Sequence, residues 1–354
     1  MGLSGRKEKL IQMKQVAIGI DIGGTNTAIG VVDREGNILY EKQPQLTTPQ
    51  KKENPTGSEK ISEDLLSDYI TLLALEVKSA IEVVEKINPA IEVVGIGIGA
   101  PNANYYTGTI EHAPNLPFVG VIPFAKMVQE KFPEIKHVKL TNDANAAALG
   151  ELIFGGGKSM RNFVMITLGT GLGSGIIVNG DLVYGSDGFA GEIGHTTIGR
   201  GNRICGCGGS GHLEAYCSAT GMKRTVYELL AKYNSSESEL ANIPFNEMSS
   251  KIVFEAAERG DKLAKEVFAF SGELLGEALA DTVHHLSPEA IFLFGGPVAA
   301  GEYIFKPTKE SMERHLLPIF KNKVKILPSS LKMGSAAIVG ASALVWKELE
   351  KQGL

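Results

Sequence analysis

Apolar residues fall along this chain in two kinds of run. Residues 16–22 read Val-Ala-Ile-Gly-Ile-Asp-Ile, short and almost wholly apolar, which predicts a buried strand. The run ends in Gly23-Gly24-Thr25-Asn26, apolar character resumes over 28–32, and Arg34-Glu35-Gly36-Asn37 precedes a third short run at 38–40. That is strand, turn, strand, turn, strand. Residues 163–178 repeat it. Phe-Val-Met-Ile-Thr predicts a strand, Leu-Gly-Thr-Gly-Leu-Gly-Ser-Gly a turn and Ile-Ile-Val a strand, after which Asn179-Gly180-Asp181 turns into 182–184. The pattern therefore occurs twice, once per half.

Between the repeats, residues 43–60 are polar and broken by Pro44, Pro49, Pro55 and Gly57, which predicts a loop. Residues 61–87 carry apolar side chains at helical spacing, from Leu65 and Leu66 through Tyr69, Ile70, Leu73 and Val77 to Ile81 and Val84. Asn88-Pro89 closes them. Further strands are expected at 93–99 and 138–140, with an Asn-, Tyr- and Gly-rich loop at 102–115. Asn102, Asn104 and Asn115 there suit either sugar contacts or turns. Beyond the second repeat, 215–233 reads as helix, 234–250 as a polar link and 252–285 as further helices. Strands follow at 290–294 and 324–328. A small-residue helix at 334–347 has Gly334, Ala337, Gly340 and Ala341 placed for close packing.

A length of 354 residues predicts two domains. The chain is 43% hydrophobic and 21% charged, ordinary for a globular protein. A net charge of −5 argues against a mainly nucleic-acid-binding role. No run approaches the roughly 18 apolar residues of a membrane span. Residues 1–14 are basic and amphipathic, without the apolar core and cleavage site of a signal peptide. They read as a short helix or an arm, and Met13 is an alternative start.

Candidate chemistry concentrates at 191–214, Gly-Glu-Ile-Gly-His-Thr-Thr-Ile-Gly-Arg-Gly-Asn-Arg-Ile-Cys-Gly-Cys-Gly-Gly-Ser-Gly-His-Leu-Glu. His195, Cys205, Cys207 and His212 are soft ligands at close spacing, bracketed by Glu192 and Glu214. Four such donors suit a closed, tetrahedral, structural Zn²⁺ site. Only one other cysteine exists, Cys217. With two thiols given to metal there is no disulfide framework, which points to a reducing cytoplasm. At the first glycine turn, Gly23, Gly24 and Thr25 can bring N–H groups and a hydroxyl to an anion, and Asp21 can hold Mg²⁺ through water. The same residues also suit a plain hairpin. Thr170 and Gly171 occupy the equivalent turn of the second repeat. The Gly-Lys-Ser/Thr of a Walker loop is absent. After the strand at 138–140 comes Thr-Asn-Asp-Ala-Asn-Ala-Ala-Ala. A helix cap needs one Asn or Asp, and here three occur in four positions. Val283-His284-His285 looks like a metal motif but sits at a predicted helix end, and His284 and His285 read as satisfied or exposed histidines.

Glu-x-Gly-His followed by Cys-x-Cys-Gly-x-x-Gly-x-x-Glu resembles the ROK family of repressors and sugar kinases. In that family one His and three Cys bind zinc. His195, Cys205 and Cys207 match three positions, and His212 stands where the family has its last Cys, giving a His₂Cys₂ set. Asp-x-Gly-Gly-Thr-Asn resembles the first phosphate motif of the actin-like ATPases, and Pro101-Asn102 departs from the family's more frequent Pro-Gly. The resemblance runs from Val16 onward. It implies an α/β fold of two actin-like (ribonuclease H-like) domains with the active site in the cleft between them. Residues 1–141 would be the first, with the C-terminal helix at about 336–354 packing back on it. Residues 142–335 would be the second, carrying the zinc loop.

The implied activity is ATP-dependent phosphorylation of a hexose at the 6-hydroxyl, above all glucose, using ATP, Mg²⁺ and structural Zn²⁺. Asp143 would be the base, and Asn142, Glu192, His195 and Glu214 the sugar ligands. Gly23, Gly24, Thr25, Thr170 and Gly171 would hold phosphates, and Gly295 and Gly296 the adenosine. Kinases for fructose, allose, N-acetylmannosamine or N-acetylglucosamine remain alternatives. So does a sugar-responsive repressor, although only fifteen residues precede Val16, too few for the helix-turn-helix domain such repressors carry. A small sugar is the implied partner, with a homodimer expected and neither nucleic acid nor membrane.

Overall fold

The computed structural model describes residues 13–43, 45–49, 63–198, 201–234 and 236–353. The amphipathic start, most of the polar stretch after Pro49 and the first residues of the expected long helix lie outside these. The chain divides into two compact units, one drawn from 1–141 and 337–354, the other from 142–336.

The first unit runs β1 (Lys14–Ile22), β2 (Asn26–Asp33), β3 (Ile38–Glu41), β4 (Leu46–Thr47), α1 (Glu63–Ile87), β5 (Ile91–Gly99), β6 (Ala103–Asn104), β7 (Thr109–Glu111), β8 (Val121–Ile122), α2 (Phe124–Lys131) and β9 (Val138–Thr141). It is completed by the last helix, Ala336–Lys351. Its main sheet has the order β3-β2-β1-β5-β9, with β4 added on β2. β1 is antiparallel to β2 and parallel to β5, which is parallel to β9. A parallel strand covered on both faces must be apolar on both, and Val16, Ala17, Ile18 and Ile20 are all fully buried. Tyr69, Ile70, Leu73, Val77 and Val84, the helical stripe of α1, join this core. The last helix lies against Gly19 and Gly97 so closely that a Cβ on either would overlap a carbonyl of that helix, Ile338 or Ala341 respectively. Its small residues make the same approach from the other side.

The stretch at 102–115, expected as a loop, instead forms β6 and β7, paired antiparallel and continued by β8. Its polar residues are turn formers. Asn102 adopts the left-handed conformation at φ 51°, and its amide donates to the Glu111 carbonyl at 3.0 Å. Asn104 donates to the Glu111 carboxylate and accepts from the Tyr106 amide. Side-chain bonds of this kind replace ladder bonds in short strands.

The second unit contains α3 (Asp143–Ile153), β10 (Phe163–Leu168), β11 (Leu172–Val178), β12 (Asp181–Leu182), α4 (Glu214–Cys217), α5 (Ala219–Tyr233), α6 (Ser250–Glu258), α7 (Lys262–Leu286), β13 (Ala290–Phe294), α8 (Glu302–His315) and β14 (Lys325–Pro328). The last helix is thus α9. The sheet order, β12-β11-β10-β13-β14, repeats that of the first unit: a central strand with its hairpin partner on one side and parallel strands on the other. The glycine run at 168–175 is mostly strand rather than turn, since β11 begins at Leu172. The reason is packing. A Cβ on Gly173 would sit 2.8 Å from the Ala144 methyl, and one on Gly175 2.6 Å from that of Ala148. Glycines in β11 and alanines in α3 thus let helix and sheet touch backbone to backbone. Asn179 and Gly180, both left-handed at φ 56° and 84°, make the two-residue hairpin turn into β12.

The helix expected over 215–233 is interrupted at Ser218, whose hydroxyl caps α5 by accepting from Gly221 N. At the far end of α3, buried Glu151 accepts from Gly156 N at 2.6 Å and from the amide of Ser330, while the Ser329 hydroxyl donates to its other oxygen. None of the described helices is long and apolar enough to cross a membrane.

Candidate active site and metal centre

The start of α3 divides its polar residues between two tasks. Asn142, extended at ψ 148°, is the cap, its side-chain oxygen accepting from Ala144 N at 2.9 Å. The Asp143 carboxylate shares that amide at 2.8 Å. Because the cap is already supplied, the helix does not require Asp143 for it. The residue is exposed to solvent, yet the mass of protein around the carboxyl raises its pKa above the ordinary carboxylate value, with the Ala144 bond acting in the opposite direction. Asn145, the third polar residue of the string, is buried.

Beyond β10 the chain turns through Gly169, Thr170 and Gly171, closed by Gly169 N donating to the Gly171 carbonyl at 3.0 Å. Three outside groups hold this turn. Ala219 N donates to the Gly169 carbonyl at 2.9 Å, the Thr220 hydroxyl donates to the Thr170 carbonyl at 2.9 Å, and Leu172 N donates to Glu214 Oε2 at 2.9 Å. Glu214 occupies the space a Gly171 side chain would need. The following segment is stitched along β11: the Ser174 hydroxyl donates to the Gly191 carbonyl and accepts from Ile193 N, and a Cβ on Gly194 would overlap the Leu172 carbonyl. This fixes Glu192 and His195. Burial raises the Glu192 pKa, His195 lowers it, and the carboxylates of Asp143 and Glu214 raise it. Asp143, Glu192, His195 and Glu214 are therefore near enough to share one electrostatic environment.

The four soft donors converge. The ligating atoms of His195, Cys205, Cys207 and His212 all lie within 4.8 Å of one another. Cys205 Sγ is 3.8 Å from His195 Nδ1, and Cys207 Sγ is 3.2 Å from His212 Nδ1. Zinc bonds of about 2.0–2.3 Å imply ligand–ligand edges of about 3.3–3.8 Å, so these donors fit the ion with little movement. The chemistry of the set agrees. Burial, reinforced by the Glu214 carboxylate at 3.2 Å, pushes the Cys205 thiol up to about 12. A thiolate at this position needs a cation beside it. Cys205 N donates to the Gly209 carbonyl, and left-handed Gly208 (φ 89°) turns the chain between them. With Nδ1 of His195 facing the cluster, its Nε2 lies 3.8 Å from Glu192 Oε2, an arrangement that orients a ligating imidazole. Cys217 is turned away, donating to the Ser271 carbonyl. His284 accepts from Leu317 N, the satisfied role expected of it.

Arg203 and Thr220 are positions that sequence reasoning passes over. The Arg203 guanidinium donates to the carbonyls of Ala215 and Gly221 and lies 4.5 Å over the Tyr216 ring. It pins the metal loop to α4 and α5. Its only sequence signal is a charge inside a glycine-rich loop, and Thr220 has none.

In the first unit, Asp21 lies near the end of β1, and the turn beyond it is closed by Gly23 N donating to Asn26 O at 3.0 Å. Thr48 N donates to the Thr25 carbonyl at 2.9 Å. A Cβ on Gly24 would come 2.9 Å from the Asn115 carbonyl, which brings Asn115 to this turn. Gly295, left-handed at φ 117°, presses on the Leu168 carbonyl, so its lack of a side chain already has a packing cause. Gly296 has Ser250 Oγ 3.5 Å from where its Cβ would be.

The model of the ROK family matches residues 17–348. A glucokinase from Thermotoga maritima is 32% identical over 330 residues, covering 93% of this chain and 96% of its own. A xylose repressor from Caldicellulosiruptor bescii is 30% identical over 350 residues, covering 98% of this chain and 82% of its own. Among solved structures, the ROK family glucokinase from Streptomyces griseus, in complex with glucose and AMPPNP, superposes with a TM-score of 0.74 at 31% identity, covering 94% of this chain and 99% of that one. With the family match spanning nearly the whole sequence, and both repeats and the His–Cys loop inside it, this chain belongs to the ROK family.

Proposed function

We propose that this protein transfers the γ-phosphoryl group of ATP to the 6-hydroxyl of a hexose, glucose first among them. The observation that carries the reading is the Asp143 carboxylate, spared from capping by Asn142 and sharing its environment with Glu192, His195 and Glu214. Asp143 takes the proton from the sugar hydroxyl as it attacks. The amide nitrogen of Asn142, whose oxygen is committed to the cap, meets a second hydroxyl. Glu192, Glu214 and His195 Nε2 order the remainder. A sugar needs several fixed donors and acceptors, and phosphoryl transfer needs mainly positioning and charge stabilisation.

The amides around Gly24, Thr25, Thr170 and Gly171 meet the phosphates, and Gly23 lets the first turn close. Gly295 and Gly296 receive the adenosine. Asp21 would hold Mg²⁺, which supplies charge neutralisation at the phosphates. His195, Cys205, Cys207 and His212 would hold a structural Zn²⁺, which supplies a rigid loop. The actin-like character of each unit, domain limits at about 141 and 336, a homodimer and a cytoplasmic setting belong to the same reading.

A panel of hexoses and N-acetylhexosamines with ATP, following ADP release, tests it. Absence of sugar-dependent ADP release from every member would sink it. Similarity to a xylose repressor over nearly this whole chain supports a second reading, a sugar-responsive regulator. Gel-shift titration with operator-length duplex separates the two.

A further inference from the structure

A turn at Gly169–Gly171 that cradles phosphate needs something to aim its amides. Two of its carbonyls are engaged from the same side. Gly169 O accepts from Ala219 N and Thr170 O from the Thr220 hydroxyl, and both donors belong to the first turn of α5. In a planar trans peptide the C=O and the following N–H point in opposite directions. Drawing the carbonyl of Gly169 toward α5 therefore turns the N–H of Thr170 away from it, and drawing the carbonyl of Thr170 does the same for Gly171. The remaining amides of the segment are occupied: Gly169 N by the Gly171 carbonyl and Leu172 N by Glu214. Among the described residues, only the Thr170 and Gly171 amides of this segment are left to face outward as a pair.

We infer that Thr220 is a positioning residue for nucleotide phosphate, acting through the Thr170 carbonyl to aim the Gly171 amide. Glu214 is its counterpart on the other side of the turn, acting through Leu172 N. The Ala219 bond is made by backbone and survives any substitution except proline, so Thr220 is where side-chain chemistry sets the turn. Without that hydroxyl, the Thr170–Gly171 peptide can rotate and offer its carbonyl outward, which repels phosphate. Thr220 is partly buried on the first turn of a 15-residue helix whose cap is Ser218, so the helix does not depend on it. The inference rests on the phosphate-binding reading of this turn.

The test is calorimetric titration of ADP·Mg²⁺ and, separately, of glucose into wild type, Thr220→Val and Thr220→Ser. Melting temperature and zinc content are measured on the same samples. Thr220→Val keeps the shape and loses the donor. Its ADP dissociation constant should rise about 3- to 10-fold, the worth of one hydrogen bond. Glucose affinity, zinc content and melting temperature should stay at wild-type values. Thr220→Ser should restore ADP binding to within about twofold. Equal ADP affinity in wild type and Thr220→Val overturns the positioning role, as does a loss in Thr220→Val that Thr220→Ser fails to repair. Parallel loss of ADP and glucose affinity with a lower melting temperature makes Thr220 a stability residue and also overturns it. A wild-type protein that binds no ADP·Mg²⁺ instead removes the phosphate reading itself.

Discussion

The two glycine turns arise from the same run of sequence elements and are held in different ways. At 23–26 the closing bonds are made by backbone: Gly23 N to Asn26 O, and Thr48 N to Thr25 O. At 169–171 the backbone bonds, Gly169 N to Gly171 O and Ala219 N to Gly169 O, are joined by two side chains, Glu214 on Leu172 N and Thr220 on the Thr170 carbonyl. A backbone-held turn depends little on which residues surround it. A side-chain-held turn can be linked to something else, and Glu214 links this one to Cys205 and so to the metal loop. The glycines below the turns differ as well. In the first unit Gly19 and Gly97 face carbonyls of α9, whereas in the second Gly173 and Gly175 lie mainly against methyl groups of α3.

The largest expected effect falls on the side-chain-rich unit. Asp143→Asn should lower kcat about 10²–10⁴-fold, the usual cost of losing a general base. The Asp143 pKa is raised in the folded protein. In wild type, therefore, activity should fall with decreasing pH at a point above the ordinary carboxylate value, and that limb should vanish from the residual activity of the variant. Stability has the opposite sign. Ionising a carboxyl whose folded pKa is raised costs stability as pH climbs from the unfolded to the folded value. At neutral pH the Asn variant should therefore melt no lower than wild type. A lower melting temperature with near-normal turnover would return Asp143 to a capping role.

Glycine replacement comes next. Gly97→Ala sets a methyl on the Ala341 carbonyl and should cost about 3 kcal/mol by denaturant unfolding, near the upper end for overpacking. Gly173→Ala meets the Ala144 methyl and the Thr167 hydroxyl and should cost about 1 kcal/mol. Equal losses would erase the contrast between the two sheets.

His212→Ala should reduce bound zinc below one per chain by elemental analysis and weaken sugar binding about tenfold or more, while His212→Cys keeps both. Reading the metal loop and the glycine turn as separate stretches of sequence predicts no change in nucleotide affinity. The Cys205–Glu214–Leu172 connection predicts a smaller, measurable loss of it. The smallest effect belongs to Gly169→Ala: nothing lies within 4 Å of the added carbon, and unfolding free energy should change by less than about 0.5 kcal/mol. A larger shift would mean that the turn needs glycine for its backbone conformation.

Much of this is legible in residue order because it is local. A strand buried on both faces announces itself as an unbroken apolar run, as in β1 and β10. A soft-metal cluster announces itself when Cys205, Cys207 and His212 are close neighbours in sequence. The glycine run at 168–175 is harder, because a glycine that turns a chain and one that admits a helix are the same letter. Only the facing Ala144 and Ala148 distinguish them. Residues 102–115 read as loop because strands of two and three residues are too short to show alternation. Thr220 and Glu151 leave no local trace, and Arg203 leaves only a charge inside a glycine-rich loop. Each acts on backbone atoms supplied from elsewhere, 50 positions away for Thr220 and 179 for Glu151 with Ser330.

Unit one is written in two pieces, and unit two lies between them in sequence. On a ribosome the sheet built around β1 and β5 emerges before unit two, yet the helix that covers Gly19 and Gly97 emerges after it. Unit two, continuous in sequence, has all its residues available before that helix appears. Domains generally fold in order of synthesis, but the sheet made first lacks its covering helix until unit two has been made, so Gly19 and Gly97 have no α9 carbonyls against them in the nascent chain. Premature termination before Ile338 would therefore damage the oldest part of the molecule rather than the newest, and such fragments should be found with chaperones or in aggregates.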